Sequence, residues 1–373
     1  APNRVAAAAK TYVPRDEGEI VARVPARDPA EQAERAALAA APDRVELAVE
    51  IARAEIGRAR RLSDPRYLGR AQATLAKWWA MARPPEDVLL LRATIEQSLH
   101  DFRAARSDLD QLIARRPGDA QAHLTRAVVA TVTADYAAAR QSCEAVEKLA
   151  PALVALACRA PLDALQGDAD KAYAQLAGGL EHRAGHSDPA LRAWAMTTLA
   201  EIAIQRGDER TAGEQLERAL SIDPDDAYAR AALADVLLER RDPAAASALL
   251  AGYETIDNLL VRRAIAESRA NGPEAAELAR KMHERIAAAA ERGDRVHMRE
   301  EAMFLLSVDL DAPRALAIAQ KNWDVQKELA DARLLAECAA AAREPAAAQP
   351  VLDWARTNHV HDARLAHVLE GLP

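Results

Sequence analysis

An all-α solenoid of about nine helical hairpins is the fold this sequence predicts, and three observations predict it. Prolines recur at a fixed interval, with Pro117 and Pro151 standing 34 residues apart. An alanine followed one turn later by a larger apolar residue falls at the same place in successive units: Ala105 to Leu109, Ala139 to Cys143, Ala212 to Leu216, Ala246 to Leu250. Half of the 373 residues are apolar yet only 3% are aromatic, and Val, Ile and Thr seldom alternate, so no stretch carries a strand's period-two pattern. A repeat array grows along one axis by stacking on its neighbours, so one elongated right-handed solenoid is expected rather than several globular domains.

Each part of the hairpin has a physical cause. The alanine lets two helix backbones approach where they cross, and the larger residue fills the space beside it. Gly or Asp between the helices, as in Gly167-Asp168, Gly207-Asp208 and His100-Asp101, ends one helix and caps the next. Proline at the close of a unit stops the second helix because it has no amide hydrogen and disfavours helix in the residue before it.

Taken in order, residues 1–30 carry Pro2, Pro14, Pro25 and Pro29 with little periodicity and are expected to form an extended arm. Residues 31–83 make an irregular hairpin, its first helix reaching Arg61 and its second running from Asp64-Pro65 to Trp78-Trp79. Residues 84–252 hold the regular array, with units at 86–117, 120–151, 153–187, 193–224 and 227–252 and a longer loop at 185–189. Residues 253–373 hold looser hairpins at 257–292, 296–326 and 329–357, closed by a capping helix near 361–370. Pro161 falls inside a first helix and is expected to kink it.

The unit at 193–224 has Leu199, Ala200, Gly207, Ala212, Ala219 and Pro224 at signature positions, and through these residues 86–252 resemble the tetratricopeptide repeat (TPR) family. Met196 stands where the signature has Trp, and Ala203 where it has Tyr. The whole chain also resembles bacterial exported TPR proteins, on Tyr12-Val13-Pro14, Asp64-Pro65-Arg66-Tyr67-Leu68 and Gly293-Asp294-Arg295-Val296-His297.

The resemblance implies a superhelix whose first helices line a concave ligand groove. Carried onto this chain, the family's contact positions are Trp194, Thr197, Glu201, Ile204 and Gln205, then Tyr228, Ala231, Asp235, Leu238 and Glu239. Earlier units supply Leu90, Thr94, Gln97, Leu124, Val128 and Thr131, and later ones Arg269, His297, Glu300 and Phe304. Two aromatics among carboxylates suit an extended protein or peptide segment that carries Lys or Arg beside an apolar anchor. The expected function is thus a non-enzymatic scaffold or adaptor. In the plainer alternative Trp194 and Tyr228 only pack between neighbouring repeats.

Charge and cysteines narrow the classes further. A net charge of −8 opposes nucleic-acid binding, which would need a basic stripe to neutralise phosphates. No run approaches the roughly 18 apolar residues of a membrane span. The start at Ala1 and the Pro-rich opening lead to the expectation of a mature exported, periplasmic chain, with a cytoplasmic one as the alternative. The resemblance places Cys143 and Cys158 on helices that pack side by side, either as a disulfide or as two buried thiols, while Cys338 is expected in the core.

Chemistry-bearing motifs are lacking: there is no phosphate-binding glycine loop, nucleophile elbow, His-Glu-x-x-His or Cys-x-x-Cys, so no cofactor or metal site is assigned. His182 with His186, Met282-His283, His297-Met298, and His359, His361 and His367 leave one alternative, an exported metal-associated accessory protein. Solvated histidines are the plainer account of them.

Overall fold

The computed structural model describes residues 29–183, 187–293 and 296–371. The expected N-terminal arm therefore lies outside the described residues except for its last two. Among the described residues every regular element is helical. Helix α1 (Pro29–Ala40) leads into nine hairpins. The first pairs α2 (Val45–Leu62) with α3 (Arg66–Thr74) and the short α4 (Ala76–Trp79). Four units follow: α5 (Glu86–Ser98) with α6 (Phe102–Arg115), α7 (Ala120–Val132) with α8 (Tyr136–Leu149), α9 (Ala152–Gln166) with α10 (Ala169–Arg183), and α11 (Pro189–Gln205) with α12 (Glu209–Ile222). Next come α13 (Ala227–Glu239) with α14 (Pro243–Leu250), α15 (Asp257–Ala270) with α16 (Ala275–Arg292), and α17 (Met298–Ser307) with α18 (Ala312–Val325). Helix α19 (Leu329–Ala341) pairs with a 3-10 turn (Pro345–Ala348) and α20 (Gln349–Thr357), and α21 (Ala363–Glu370) closes the chain.

One turn recurs through the array. His100, Ala134, Gly207, Arg241 and Leu310 all have positive φ, and each is followed by an aspartate that caps the next helix. Asp101, Asp135, Asp208, Asp242 and Asp311 accept hydrogen bonds from the backbone N–H groups of Ala104, Ala138, Thr211, Ala245 and Arg314. Such caps satisfy amides that have no partner inside the helix and contribute about 1 kcal/mol each. Of these five turns only that of the fifth hairpin has glycine at this position, Gly207, where φ is +75 and a Cβ would stand 3.4 Å from that of Ala363 in α21.

The alanine steps sit where the helices cross: Ala105, Ala139, Ala212, Ala246 and Ala315 have no exposed surface. Pro161 lies inside α9, which continues through it as one element. Cys143 of α8 is joined to Cys158 of α9 by a disulfide, their Cα atoms 5.7 Å apart, and Cys338 is a buried free thiol.

The array departs from the expected open, elongated stack in one respect. Its last hairpins curl back and dock on the turns of the third, fourth and fifth. The Lys327 amide donates to the Val132 carbonyl at 2.8 Å, and the His361 amide to the Leu165 carbonyl at 3.1 Å. Trp354 Nε1 donates to the Tyr136 hydroxyl at 3.1 Å, across 218 residues of sequence. One apolar cluster accordingly unites Tyr136, Leu162 and Leu165 with Leu316, Trp323, Leu335, Trp354 and Leu365. An open solenoid would leave the apolar groups at those turns in water. Closure buries them, and that gain drives the docking.

Candidate binding groove

Side chains join the first helices α11, α13 and α15 in sequence, Glu201 to Tyr228 and Asp235 to Arg262. At the start of α13, Tyr228 is 58% exposed, and among the described residues no other aromatic side chain stands exposed. Its hydroxyl donates a short hydrogen bond to Glu201 Oε1 on α11. Burial pushes the Glu201 carboxyl up to about 7, against the lowering effect of that hydrogen bond. The Glu201 carboxylate, burial and the more distant Glu328 together hold the Tyr228 phenol well above its usual range. The pair is therefore a phenol and a carboxyl in hydrogen-bond contact, with the phenol ring open to solvent.

A second pair of the same kind lies one repeat further on. Arg262 of α15 forms a fork on Asp235 of α13, with Nε–Oδ1 and Nη2–Oδ2 distances of 2.8 Å each. Burial works against the Arg262 charge, but Asp235 outweighs it and raises the guanidinium above its ordinary value. Both pairs join residues 27 apart in sequence. That offset is what a 34-residue period yields when position nine of one first helix meets position two of the next.

A third node stands on α17. Arg299 reaches Asp331 through Nε–Oδ1 at 2.6 Å and Nη2–Oδ2 at 2.7 Å, and also bonds Glu328. Asp331 is fully enclosed and additionally accepts from Asn322 Nδ2 at 2.7 Å and the Glu328 amide at 3.1 Å. Further along, burial and the nearby Glu239 carboxylate push the Glu337 carboxyl of α19 up to about 7.

Of the seven residues named from sequence, Glu201 and Asp235 are half-buried, and Tyr228 and Glu239 are exposed, the last at the end of α13. Trp194 is half-buried against the apolar cluster of α9 to α13. Thr197 and Gln205 are buried and serve the framework instead. The Thr197 hydroxyl donates to the Ala193 carbonyl of its own helix at 3.1 Å. Gln205 Nε2 donates to the Ala164 carbonyl at 2.7 Å and to the His361 carbonyl, fastening α21's approach segment to α9 and α11. Thr94 and Phe304, assigned to the groove in other repeats, are also buried. Sequence reasoning missed Arg262, Arg299, Glu328 and Asp331, although the 27-residue offset from Asp235 points to Arg262.

The histidine and methionine groupings do not converge. Met282 and Met298 are buried, His283 Nε2 lies 3.0 Å from Asp309, and His182 Nδ1 lies 3.0 Å from the Gly178 carbonyl. His186 lies outside the described residues. Among the described residues no three His, Cys, Asp or Glu side chains form a group able to hold a metal.

Comparison with known proteins supports the repeat class. The tetratricopeptide repeat family model matches residues 203–259, from the end of α11 to the start of α15. No curated protein sequence matches the chain. Similar solved structures include the human IFIT1 dimer with m7Gppp-AAAA, at 11% identity over 88% of this chain and 85% of that one, with a TM-score of 0.42. Yeast Tom70 shares 12% identity over 92% of this chain and 91% of its own, with a TM-score of 0.36. The TPR domain of P58(IPK) shares 14% identity over 76% of this chain and 96% of its own, with a TM-score of 0.23.

Proposed function

We propose that this TPR-like solenoid is a non-enzymatic scaffold that holds an extended protein segment in its concave groove, and that the segment bears a Lys or Arg beside an apolar anchor. Tyr228 carries the proposal. A solvent-exposed aromatic ring on the concave side, bonded to a carboxyl at its tip, offers an apolar face and a hydrogen-bonded acid in one place. Glu239 and Glu337 add acceptor capacity further along the same face, and the overall charge of −8 favours cationic partners over polyanions. An exported, periplasmic setting agrees with the Cys143–Cys158 disulfide, since such bonds persist in oxidising compartments. Among the described residues no helix is long and apolar enough to cross a membrane.

The test is fluorescence anisotropy with peptides selected on the protein by display, sorted into basic, neutral and acidic sets, with an oligonucleotide as a further probe. Basic peptides with one large apolar residue should bind best, and Tyr228→Ala should weaken them about tenfold or more, the size of a lost interface anchor. If Tyr228→Ala binds as the parent does, or if the acidic set or the oligonucleotide is preferred, the groove assignment is wrong.

A further inference from the structure

The bond between Cys143 and Cys158 stands where the last hairpins dock. Helices α8 and α9 run antiparallel, and the bond ties the middle of one to the middle of the other. Seven residues, two turns, separate Cys143 from Tyr136 along α8, and seven separate Cys158 from Leu165 along α9. The bond therefore shares a face of each helix with the residue that receives the C-terminal segment. Trp354 Nε1 donates to the Tyr136 hydroxyl, and the His361 amide donates to the Leu165 carbonyl. Between these two contacts the Asn358 carbonyl accepts from Gln166 Nε2 of α9 at 3.3 Å. Residues 354–361 thus grip both helices across the line that the disulfide spans, and Cys143 and Cys158 pack in the same apolar cluster as Trp354 and Leu365.

A segment that holds two helices at once needs their relation fixed. Arg140 of α8 reaches Asp163 of α9 at 2.7 Å and Gln166 Oε1 at 3.2 Å, but its side chain is 37% exposed, and an ion pair open to water contributes little. Apolar contacts between α8 and α9 are non-directional, so they resist separation more than sliding. The covalent bond stops both.

We propose that the Cys143–Cys158 bond is a redox latch on the closure of the array: oxidised, it holds α8 and α9 in the relation that residues 354–361 grip, and reduced, it lets the C-terminal hairpins come away from the turns they dock on. Release uncovers the Val132 and Leu165 carbonyls, now bonded to the Lys327 and His361 amides, and frees the Gln205 amide from the His361 carbonyl. Of the two sulfurs that of Cys158 is the reachable one, since Cys158 is half-buried whereas Cys143 is 3% exposed. A thiolate of a dithiol reductant attacks Cys158 Sγ, forming a mixed disulfide and releasing Cys143 as a thiolate that takes up a proton. The second thiolate of the reductant then attacks its own sulfur in the mixed bond, closes a cyclic disulfide and releases Cys158, which is protonated in turn. Two electrons pass from the dithiol to the protein. The latch is independent of the groove at Tyr228 and does not rest on its assignment.

Native-state hydrogen exchange on the full chain tests it, comparing the oxidised protein with the same protein reduced by dithiothreitol and then reoxidised, with thiols counted at each stage. Reduction should raise the thiol count from one to three and accelerate exchange at the His361 and Lys327 amides by about tenfold or more beyond any change at the amides of α5 and α6. Reoxidation should restore the slow exchange. The double variant Cys143→Ala with Cys158→Ala should exchange fast at His361 whether or not the dithiol is present, and Cys338→Ala should respond to the dithiol as the parent does. A bond that the dithiol does not reduce in the folded protein, exchange at His361 within about twofold after reduction, or an equal acceleration at α5, α6 and His361, which marks a bond that only stabilises the fold as a whole, overturns the proposal.

Discussion

Gln205→Leu isolates the seam that closes the array. The substitution keeps a side chain of similar volume and helix propensity but removes the amide that donates to the Ala164 and His361 carbonyls. Each such bond contributes about 1 kcal/mol net, so losing both costs about 2 kcal/mol, borne by the docking of the C-terminal segment rather than by the hairpin stack. The His361 amide, bonded to the Leu165 carbonyl, reports that docking directly. Native-state hydrogen exchange at His361 should accelerate about 30-fold, since about 1.4 kcal/mol is a factor of ten. The Lys327 amide, which bonds Val132 in the same seam, should accelerate with it if the seam opens as one unit, while amides within α5 and α6 should not change. Exchange at His361 within about twofold of the parent would refute the assignment of Gln205 to the seam.

Three further outcomes are expected. Ala212→Leu overfills a fully buried helix crossing and should lower stability in urea melts by about 1–3 kcal/mol; an unchanged midpoint would show the crossing to be elsewhere. Thiol counting on the unfolded, non-reduced protein should find one reactive group, Cys338, whereas three would disprove the bond that spans 15 residues and is worth about 3 kcal/mol. Glu96, Glu201 and Glu337 have carboxyls raised from 4.5 to about 7, so folding favours their protonated forms, and that stability is present below 4.5 and lost as pH rises through 7. The denaturation midpoint should therefore fall from about pH 5 to about pH 8, and changing the three to Gln should flatten the fall; a rise in the parent would contradict it. Asp64, Asp135 and Asp208, whose carboxyls lie below 3.8, act in the opposite direction but only at more acid pH.

Contacts between neighbouring repeats were legible because they recur. The alanine steps and the aspartate caps both follow from a period that the chain repeats many times. The docking of Trp354 on Tyr136 recurs nowhere, so no periodicity marks it. Gln205 shows the consequence. Its place near the end of a first helix resembles a ligand position in an open array, but in the closed one the backbone at His361 already occupies it. Glu201 and Tyr228 were legible individually as face positions, yet their bond to each other depends on the angle between α11 and α13, which composition does not encode.

Internal pairing also decides which acids a ligand can use. Asp235 is forked to Arg262, which is only 8% exposed, so a ligand cation that captured Asp235 would strand a buried guanidinium at a cost of about 3–5 kcal/mol. Glu201 is held by a neutral phenol instead, and near neutral pH its raised carboxyl is partly protonated. An incoming ammonium or guanidinium there would stabilise the ionised form and expel the proton, while the Tyr228 hydroxyl could go on donating to the same carboxylate. Glu239, exposed and close to Glu337, gains from a cation in a second way, because the added charge relieves repulsion between two acids. Under the proposed function, selection for a basic segment would therefore fall to Glu201 and Glu239, with Asp235 keeping α13 and α15 aligned, and binding of such a segment would release a proton wherever Glu201 is still protonated.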